Sequence, residues 1–329
     1  MTEVVQNKAE YQKLIPSLQR LFSAAFGKEI SVEYLKWRYV DTPYEDILVV
    51  VEKDEQGQVV ANYSASIQHL AYKHENWKAA LSMTTMTHPA HQGKGLFTHL
   101  ASTLYESMLD KQYNCIYGFP NRQSHYGFIN KLGWVDVYEQ GYIGLETKKS
   151  KVKPNNTELI FDNLFEFDYN HLIKRSKDFI SVAKSIEYLK WRYSKNPIQK
   201  YQNIVLIDSS NSVLGYCVFK IFNNAAIDIL EMNTNDISNT KQLLELVISY
   251  AHQNDISYIS TWISVHSQHF SIYEKLGLGH MSTKMASNMN IQSVNTFFGL
   301  KLLTDNSACQ KILPDYKNWN LEMSISDVY

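Results

Sequence analysis

The sequence predicts an α/β protein of two similar domains, each a central mixed sheet flanked by helices. Three observations lead to this prediction. Apolar segments with the period of a strand alternate with segments of helical period along most of the chain. A nonapeptide that begins at Ser31 recurs from Ser185 with one change. The chain has 329 residues, enough for two domains of about 150.

The first half gives the order of elements within one domain. Helices are predicted over 10–26 and 31–39, the second with Ser31 as its N-cap. Strands over 47–52 and 59–68 are joined by the turn sequence Asp-Glu-Gln-Gly. The pattern continues with a strand over 77–86, a helix from residue 96, a strand over 113–119, a helix over 123–132 and closing strands over 134–145. Gly133 is the predicted stop of the helix over 123–132.

The second half repeats this order. The nonapeptide at 185–193 differs from that at 31–39 only by Ile186 in place of Val32, and Lys-Leu-Gly occurs at both 131–133 and 275–277. Strands are predicted over 204–207, 213–222, 226–232 and 258–263, and a helix over 238–252. A repeat of this length indicates a duplicated domain. The predicted domains are 1–150 and 151–290, joined near 148–156 and followed by a tail, 291–329, that packs back on them.

Composition and charge exclude several classes of protein. An apolar content of 44% and a charged content of 20% are typical of a soluble globular protein. The net charge of −1, without a basic run, argues against nucleic acid or an anionic membrane as a partner. No apolar run is long enough to be inserted in a membrane. We therefore expect a cytoplasmic protein.

The sequence predicts no metal site. Its three cysteines lie far apart and show no Cys-x-x-Cys spacing, so they resemble reduced core thiols. Four histidines near the middle of the first half also lack a metal-ligand spacing: His88, His91, His99 and His125.

The segment 84–97, Thr-Thr-Met-Thr-His-Pro-Ala-His-Gln-Gly-Lys-Gly-Leu-Phe, joins a predicted strand to a predicted helix. Gly93 and Gly95 let the backbone approach a ligand closely, and a helix N-terminus favours an anion. Neither a Walker loop nor a dinucleotide fingerprint fits, since no Lys-Ser/Thr follows Gly95 and Thr98 stands where a third glycine is needed. The segment predicts a phosphate site, with an ordinary strand–turn–helix as the alternative.

This loop resembles the pyrophosphate loop of the GNAT superfamily of N-acyltransferases, Gln/Arg-x-x-Gly-x-Gly/Ala. Gln92 and Gly95 match it, and His88-Pro89 precedes it as in many members, whereas Phe97 replaces the usual small residue. With the duplication, the chain is similar to tandem GNAT proteins, which include enhanced-intracellular-survival-type acetyltransferases and enzymes of surface-polysaccharide loci. The resemblance implies transfer of an acetyl group from acetyl-CoA, the co-substrate, to a primary amine of a small molecule, with an amino sugar or nucleotide-linked amino sugar as examples.

The resemblance also implies the residues of the donor site. Backbone N–H groups of the loop would hold the pyrophosphate, and the preceding strand would pair with the pantetheine arm as an added strand. A backbone N–H near Met86 would polarise the thioester carbonyl. Asn121 and Ser124 match polar positions that contact coenzyme A in relatives. The implied cofactor-binding set is Thr85, Met86, Thr87, Gln92, Gly93, Lys94, Gly95, Leu96, Phe97, Asn121 and Ser124.

The general acid is marked less clearly. Many relatives carry a tyrosine two residues before Lys-Leu-Gly, but Ile129 stands there in the first half and Tyr273 in the second. Tyr126 is the candidate acid, with His125 beside it, and the alternative is that Tyr126 only packs on the sheet.

The candidate base is Tyr329, because some tandem members place the terminal carboxylate in the active site. The alternative is a tail that packs or frays. Glu33 and Glu52 are further candidates for the base. Trp37 and Arg38 are expected to be packing residues, with a wall of the acceptor site as the weaker option.

The second half lacks the glycine loop. The segment 231–238, Glu-Met-Asn-Thr-Asn-Asp-Ile-Ser, stands in its place without glycine and with two acids, which would repel a pyrophosphate. Only the first domain is therefore expected to bind the cofactor.

Two other classes stay open. A Fem-type aminoacyl transferase also has two GNAT-like halves, although the near-neutral charge and the lack of a long helical arm speak against it. A degenerate pair that binds coenzyme A, or serves as a scaffold, is the non-enzyme alternative. The acceptor, the acyl chain length and the oligomeric state, a homo-oligomer included, are not specified by the sequence.

Overall fold

The computed structural model describes residues 1–153, 168–169, 172, 177–210, 212–222, 225–234 and 236–326. These residues fall into two compact units. The first lies within Met1–Tyr138, Lys195–Ile198 and Phe297–Tyr316, and the second within Glu139–Ser194, Gln199–Thr296 and Lys317–Tyr329. The bounds of these two units therefore differ from the predicted domains 1–150 and 151–290 and the predicted tail 291–329. The order of the strands in the two sheets explains this difference.

The first unit is organised around a seven-stranded mixed sheet. Its order is β1 (Thr2–Val4), β2 (Leu48–Lys53), β3 (Val59–Ile67), β6 (Ala79–Thr87), β7 (Cys115–Gly118), β16 (Asn295–Leu302) and β8 (Val135–Gly141). β6 and β7 run parallel, whereas the first three neighbouring pairs and β7 with β16 are antiparallel. A hairpin of β4 (Leu70–Lys73) and β5 (Glu75–Trp77) was not predicted from the sequence, nor was β1.

Helices of the first unit pack on both faces of this sheet. They are α1 (Lys8–Phe26), α2 (Val32–Tyr39), α3 (Leu96–Asp110), α4 (Arg122–Leu132) and α9 (Ser307–Ile312). Alternate residues of β2 face opposite ways, so Val50 joins a core with Leu104 of α3, while Val51 joins a core with Ile15 of α1. The predicted caps Ser31 and Gly133 are confirmed: Ser31 accepts a hydrogen bond from the Tyr34 N–H, and Gly133 is left-handed.

The second unit repeats the arrangement with a six-stranded sheet. Its order is β11 (Gln202–Ile207), β12 (Val213–Phe222), β13 (Ala226–Thr234), β14 (Tyr258–Thr261), β9 (Ile143–Glu146) and β15 (Gly279–His280). Its other elements are β10 (Lys177–Val182), α5 (Ile186–Leu189) with a π-helical turn over Lys190–Ser194, α6 (Ile237–Gln253), α7 (Phe270–Lys275) and α8 (Thr283–Asn288). The strands and the long helix predicted for the second half are confirmed.

Each sheet takes its penultimate strand from the other half of the sequence. In the first unit, β16 from near the chain's C-terminus lies between β7 and β8; in the second, β9 lies between β14 and β15. The prediction that 134–145 closes the first domain is thus correct for β8 and wrong for β9. Part of the predicted tail, 291–329, is a strand of the first sheet. Alternation of apolar and polar residues predicts a strand, but it does not determine which strand lies next to it in a sheet.

Short 3₁₀ turns complete the described chain, at Pro89–His91, Thr147–Lys149, Tyr316–Asn318 and Met323–Ile325. Of the helices that the structure describes, none combines the length and apolar character needed to cross a membrane.

Candidate active site

The parallel strands β6 and β7 define the site, because their carboxyl ends lie at one edge of the first sheet. Their pairing covers Ala79–Leu81 against Cys115–Tyr117, while β6 continues to Thr87. The last residues of β6 therefore present backbone groups that β7 does not pair. Helix α3 follows β6 and helix α4 follows β7, so both N-termini lie at this edge.

The glycine loop leads into α3 with two left-handed residues. Gly93 and Gly95 have φ values of 75° and 73°, a region that suits glycine. Gly95 is the N-cap of α3 and supplies no side-chain hydrogen bond, whereas α1 and α4 are capped by Asn7 and Asn121. The first N–H groups of α3 are thus left for an external acceptor.

Side chains around the loop leave this helix end open. A Cβ at Gly93 would have no atom within 4 Å, and Lys94 is exposed. Gln92 is exposed too, with its Nε2 3.5 Å from the Thr87 carbonyl oxygen.

Phe97 has a packing role that explains its departure from the small residue of the motif. Its ring lies 5.1 Å from the Phe128 ring and 6.0 Å from that of Tyr63, centroid to centroid. A Cβ added at Gly127 would come within 2.8 Å of Phe97 Cε1. The first turn of α3, and its half-buried Leu96, are therefore fixed against α4 and the core.

The end of β6 contains a β-bulge. Asn62 pairs with Met86 and Ser64 with Met83, so Thr84 and Thr85 together face Tyr63. Thr84 has a φ of 53°, uncommon for a β-branched residue. Thr85 and Thr87 are half-buried.

Met86 can act at this site only through its backbone. Its side chain is 3% exposed and packs in the core beneath α1 and α2. This arrangement agrees with the predicted use of its N–H, which itself stays a prediction.

Asn121 and Ser124 are brought to the same edge, but their side chains contact one another. Asn121 Oδ1 accepts hydrogen bonds from the N–H groups of Gln123 and Ser124, at 3.0 and 2.9 Å. The Ser124 hydroxyl lies 3.1 Å from the same oxygen. Asn121 thus caps α4, the Ser124 hydroxyl contacts that cap, and the contact of either residue with a cofactor stays a prediction.

Tyr126 is the fifth residue of α4, and 63% of its surface is exposed. Its neighbour His125 places Nε2 2.7 Å from Asp136 Oδ1 and stacks on Phe297 at 4.2 Å between ring centroids. Ile129, at the position of the usual tyrosine, packs against the core. In the second unit, burial raises the pKa of Tyr273, whose hydroxyl lies 3.5 Å from Met232 Sδ.

The structure describes two of the three candidate bases, Glu33 and Glu52. Tyr329 lies outside the described residues, and Glu33 is exposed. Glu52 accepts a hydrogen bond of 2.6 Å from the Thr2 hydroxyl. Burial raises the pKa of Glu52, but hydrogen bonds from the amino group of Met1 and from Thr2 outweigh it and lower the pKa overall, which makes this carboxylate a weaker base.

Trp37 and Arg38 are buried, with 2% and 3% exposure, and the guanidinium carbon lies 4.5 Å from the Trp37 ring centroid.

The second unit closes the helix end that is open in the first. Asp236 caps α6, accepting hydrogen bonds from the Asn239 N–H at 2.9 Å and from the Ser238 hydroxyl at 2.7 Å. The Ser238 hydroxyl and the Asn239 N–H lower the pKa of this carboxyl. A side-chain anion therefore stands where a phosphate would bind. Asn235, in the same loop, lies outside the described residues.

Two groups of buried residues that support β6 were not predicted. Tyr39 and Asn62 hold the Thr84 bulge. A second chain of hydrogen bonds runs from Ser82 through Tyr63 and Tyr105 to Trp134, with distances of 2.8, 2.9 and 2.9 Å. The only sequence signal is that Tyr39 and Tyr193 close the two copies of the nonapeptide.

A family model described as an acetyltransferase (GNAT) domain matches residues 8–136. This part of the chain is therefore a GNAT domain. The match runs from α1 to the start of β8 and includes the glycine loop and both helices of the site. Acyl transfer is the general activity that this match supports.

Solved structures share the GNAT fold over most of the chain. A GCN5-related N-acetyltransferase from Anabaena variabilis has a TM-score of 0.65 and 14% identity, covering 92% of this chain and 73% of its own. One from Kribbella flavida has a TM-score of 0.62 and 12% identity, covering 92% and 71%. N-myristoyltransferase from Saccharomyces cerevisiae, solved with myristoyl-CoA, has a TM-score of 0.60 and 12% identity, covering 91% and 82%.

These neighbours agree with two GNAT-like units. A search of curated proteins gives no sequence match. Within the described ranges, no group of three or more His, Cys, Asp and Glu residues is arranged to hold a metal ion.

Proposed function

We propose that the protein transfers an acetyl group from acetyl-CoA to a primary amine of a small molecule. The observation that carries this proposal is the open N-terminus of α3, preceded by Gly93 and Gly95 and adjoining the free edge of β6. We would test amino sugars and nucleotide-linked amino sugars first as acceptors.

The donor substrate fits the chemistry of this edge. Backbone N–H groups over 92–97 are suited to the two charges of a pyrophosphate, since the helix dipole and the absence of a competing cap favour an anion. Lys94 adds a positive charge at the exposed rim. The segment Thr85–Thr87 offers backbone groups to the amides of the pantetheine arm.

In the reaction, the acceptor nitrogen attacks the thioester carbonyl carbon, the carbon–sulfur bond breaks, and the thiolate leaves. A backbone N–H near Met86 stabilises the oxyanion that develops. Holding amine and thioester in one complex supplies much of the acceleration. The amine's proton goes to a base and the thiolate takes a proton from an acid.

Tyr126 is our candidate for the acid, because it is an exposed tyrosine near the start of α4, the helix that begins at this edge. Tyr329 is our candidate for the base. We place the reaction in the cytoplasm, which suits the free, buried thiols of Cys115, Cys217 and Cys309.

Thermal unfolding with and without acetyl-CoA tests the donor site. Acetyl-CoA at a hundredfold excess over its dissociation constant is expected to stabilise the wild type by about 2.7 kcal/mol. Acetyl-CoA should therefore raise the unfolding midpoint of the wild type. Gly95→Glu should abolish this shift of the midpoint, because the variant places a carboxylate at the N-terminus of α3. Gly57→Glu is the matched control: Gly57 has a φ of 75° and open space, but lies in the turn between β2 and β3.

A shift in the wild type and in Gly57→Glu, but not in Gly95→Glu, supports the proposal and justifies a screen of amines. No shift in any variant at millimolar acetyl-CoA would contradict it. The same screen should include longer acyl-CoA donors and aminoacyl-tRNA. It then distinguishes acetyl transfer from transfer of longer acyl groups and from aminoacyl transfer.

A further inference from the structure

The β-bulge at Thr84 is held by side chains from two other elements. Asn62 of β3 donates from Nδ2 to the Thr84 carbonyl oxygen at 2.7 Å and to Ser64 Oγ at 2.8 Å. Tyr39 of α2 donates its hydroxyl to Thr84 Oγ1 at 2.8 Å. Asn62 and Ser64 are each 1% exposed and Tyr39 is 3% exposed, so this network is shielded from water.

Both polar groups of Thr84 that can accept a hydrogen bond therefore have a fixed donor. A threonine at a φ of 53° is strained, and such a conformation persists only where its surroundings impose it. Here the amide of Asn62 fixes the carbonyl and the phenol of Tyr39 fixes the side chain. The network thus sets the direction of the backbone at the bulge.

The second unit uses the last tyrosine of the nonapeptide in the same way. Tyr193 donates its hydroxyl to Glu231 Oε2 at 2.5 Å, and Glu231 lies on β13, the counterpart of β6. The register of β12 and β13 also shifts beside this residue, where Val218 pairs with Glu231 and Phe219 with Ile229. Two copies of one motif therefore deliver a tyrosine hydroxyl to the irregular point of the central strand.

A bulge leaves one residue outside the ladder, so one backbone N–H near it is not used between the strands. In the first unit this irregular point is Thr84–Thr85, next to Met86 and on the free part of β6.

We propose that Tyr39 and Asn62 are positioning residues for acyl transfer: they fix the Thr84 bulge so that a backbone N–H at Thr85–Met86 is directed at the acyl carbonyl of the bound thioester. The inference rests on the proposed function and adds to it the groups that aim this N–H. Neither residue touches the reacting atoms.

The vibration of the acyl carbonyl tests this role directly. The full chain is loaded with acetyl-CoA carrying ¹³C at the thioester carbonyl, and the carbonyl stretch is recorded by isotope-edited infrared difference spectroscopy. In the wild type, the hydrogen bond should shift the band below its frequency in free acetyl-CoA. In Tyr39→Phe and Thr84→Ala the band should return toward the free value. The dissociation constant of coenzyme A itself should change less than twofold, because the pyrophosphate loop is intact.

Two further variants separate positioning from general destabilisation. Thr84→Ser keeps the oxygen that accepts from Tyr39 and should retain the wild-type band. Tyr34→Phe removes a hydroxyl from the same helix that lies 3.5 Å from the Arg38 guanidinium, and it should also retain the wild-type band. Asn62→Ala provides an independent test if Tyr39→Phe does not fold.

A wild-type band in folded Tyr39→Phe, Thr84→Ala and Asn62→Ala would overturn the inference and leave the proposed function standing. Failure of the wild type to bind acetyl-CoA would overturn both. A displaced band in these variants, with the wild-type band in Thr84→Ser and Tyr34→Phe, is the expected result.

Discussion

Phe97 packs on the bare Cα of Gly127, and this contact joins the first turn of α3 to α4. An added Cβ at Gly127 would lie 2.8 Å from Phe97 Cε1, closer than such atoms pack. The glycine loop ends at this turn. The position of the proposed anion site therefore depends on a glycine in a neighbouring helix.

Gly127→Ala should destabilise the protein although alanine favours a helix. The gain in helix propensity is up to about 1 kcal/mol, whereas overpacking costs about 1–3 kcal/mol. We expect a net loss of about 1 kcal/mol in urea unfolding and weaker binding of acetyl-CoA. Gly279→Ala is the control, since no atom lies within 4 Å of its added Cβ. If Phe97→Leu does not rescue Gly127→Ala, the proposed clash is not the cause.

A second prediction concerns the buried ion pair of the second unit. Lys184 Nζ lies 2.8 Å from Glu231 Oε1 and 3.4 Å from Glu322 Oε2. Burial raises the pKa of Glu231, but Lys184 and the hydroxyls of Tyr193 and Tyr216 outweigh it, so the pKa is lowered overall. Burial lowers the pKa of Lys184, but the two carboxylates outweigh it, so that pKa is raised.

These directions fix how stability depends on pH. A lowered carboxyl pKa stabilises the fold above its ordinary value of 4.5, and the contribution is lost as pH falls through the folded value. A raised lysine pKa stabilises the fold below its ordinary value of 10.5, and the contribution is lost as pH rises through the folded value. The pair should therefore contribute fully between these two ordinary values.

Lys184→Met should cost about 3–5 kcal/mol at neutral pH, because it leaves a buried carboxylate unpaired. The pKa of Glu231 then rises, so protonation should reduce the loss as pH falls from 7.5 to 5. Urea unfolding at both pH values measures this. Lys149→Met, which breaks an exposed pair with Glu146, should cost less than about 1 kcal/mol at either pH. A loss for Lys184→Met that is the same at both pH values would argue against the buried charge as its cause.

Asn121 offers a way to separate helix capping from contact with the donor. Asn121→Ala should cost about 0.5–2 kcal/mol, because the N–H groups of Gln123 and Ser124 lose their acceptor. Asn121→Asp should keep the stability, since aspartate is an equally good cap. Its added charge should nevertheless weaken acetyl-CoA binding if Asn121 lies near the donor. Unchanged binding by a stable Asn121→Asp protein would remove Asn121 from the donor site.

The exchange of β9 and β16 predicts which fragments fold. A chain of residues 1–150 lacks β16, so β7 and β8 lose the strand between them. A flexible linker that joins 1–141 directly to 293–316 restores that strand. Denaturant unfolding followed by circular dichroism should show a cooperative transition for the fused chain and none for 1–150. If 1–150 unfolds cooperatively, with the same dependence of its free energy of unfolding on denaturant concentration as the fused chain, β16 is dispensable.

The sequence allowed the elements of both units to be predicted, because their signals are local. The strand over 213–222 was placed at its observed bounds, and the helix predicted over 10–26 was observed as Lys8–Phe26. The cap at Ser31 and the stop at Gly133 follow from residue chemistry alone. The glycine loop can also be recognised from its own residues, Gly93 and Gly95.

Features that depend on distant partners could not be predicted. Val135–Gly141 and Ile143–Glu146 have similar patterns, yet they join different sheets, and period alone does not distinguish them. Lys184 looks like a surface residue in sequence, since the carboxylates that pair with it are far along the chain. The sequence also carries no signal for the bulge at Thr84. Threonine does not itself favour a positive φ; the contacts with Tyr39 and Asn62 hold it there.

The late position of β16 in the chain also sets the timing of assembly during translation. The ribosome makes β7 long before β16, and at ~5–20 residues per second the interval is about 10–40 s. During that interval the nascent first sheet has an unpaired edge at β7, next to the strand that carries the proposed donor site. A newly made chain thus completes its first sheet only after β16 has been synthesised, and until then the unpaired edge of β7 can pair with a wrong strand or be bound by a chaperone.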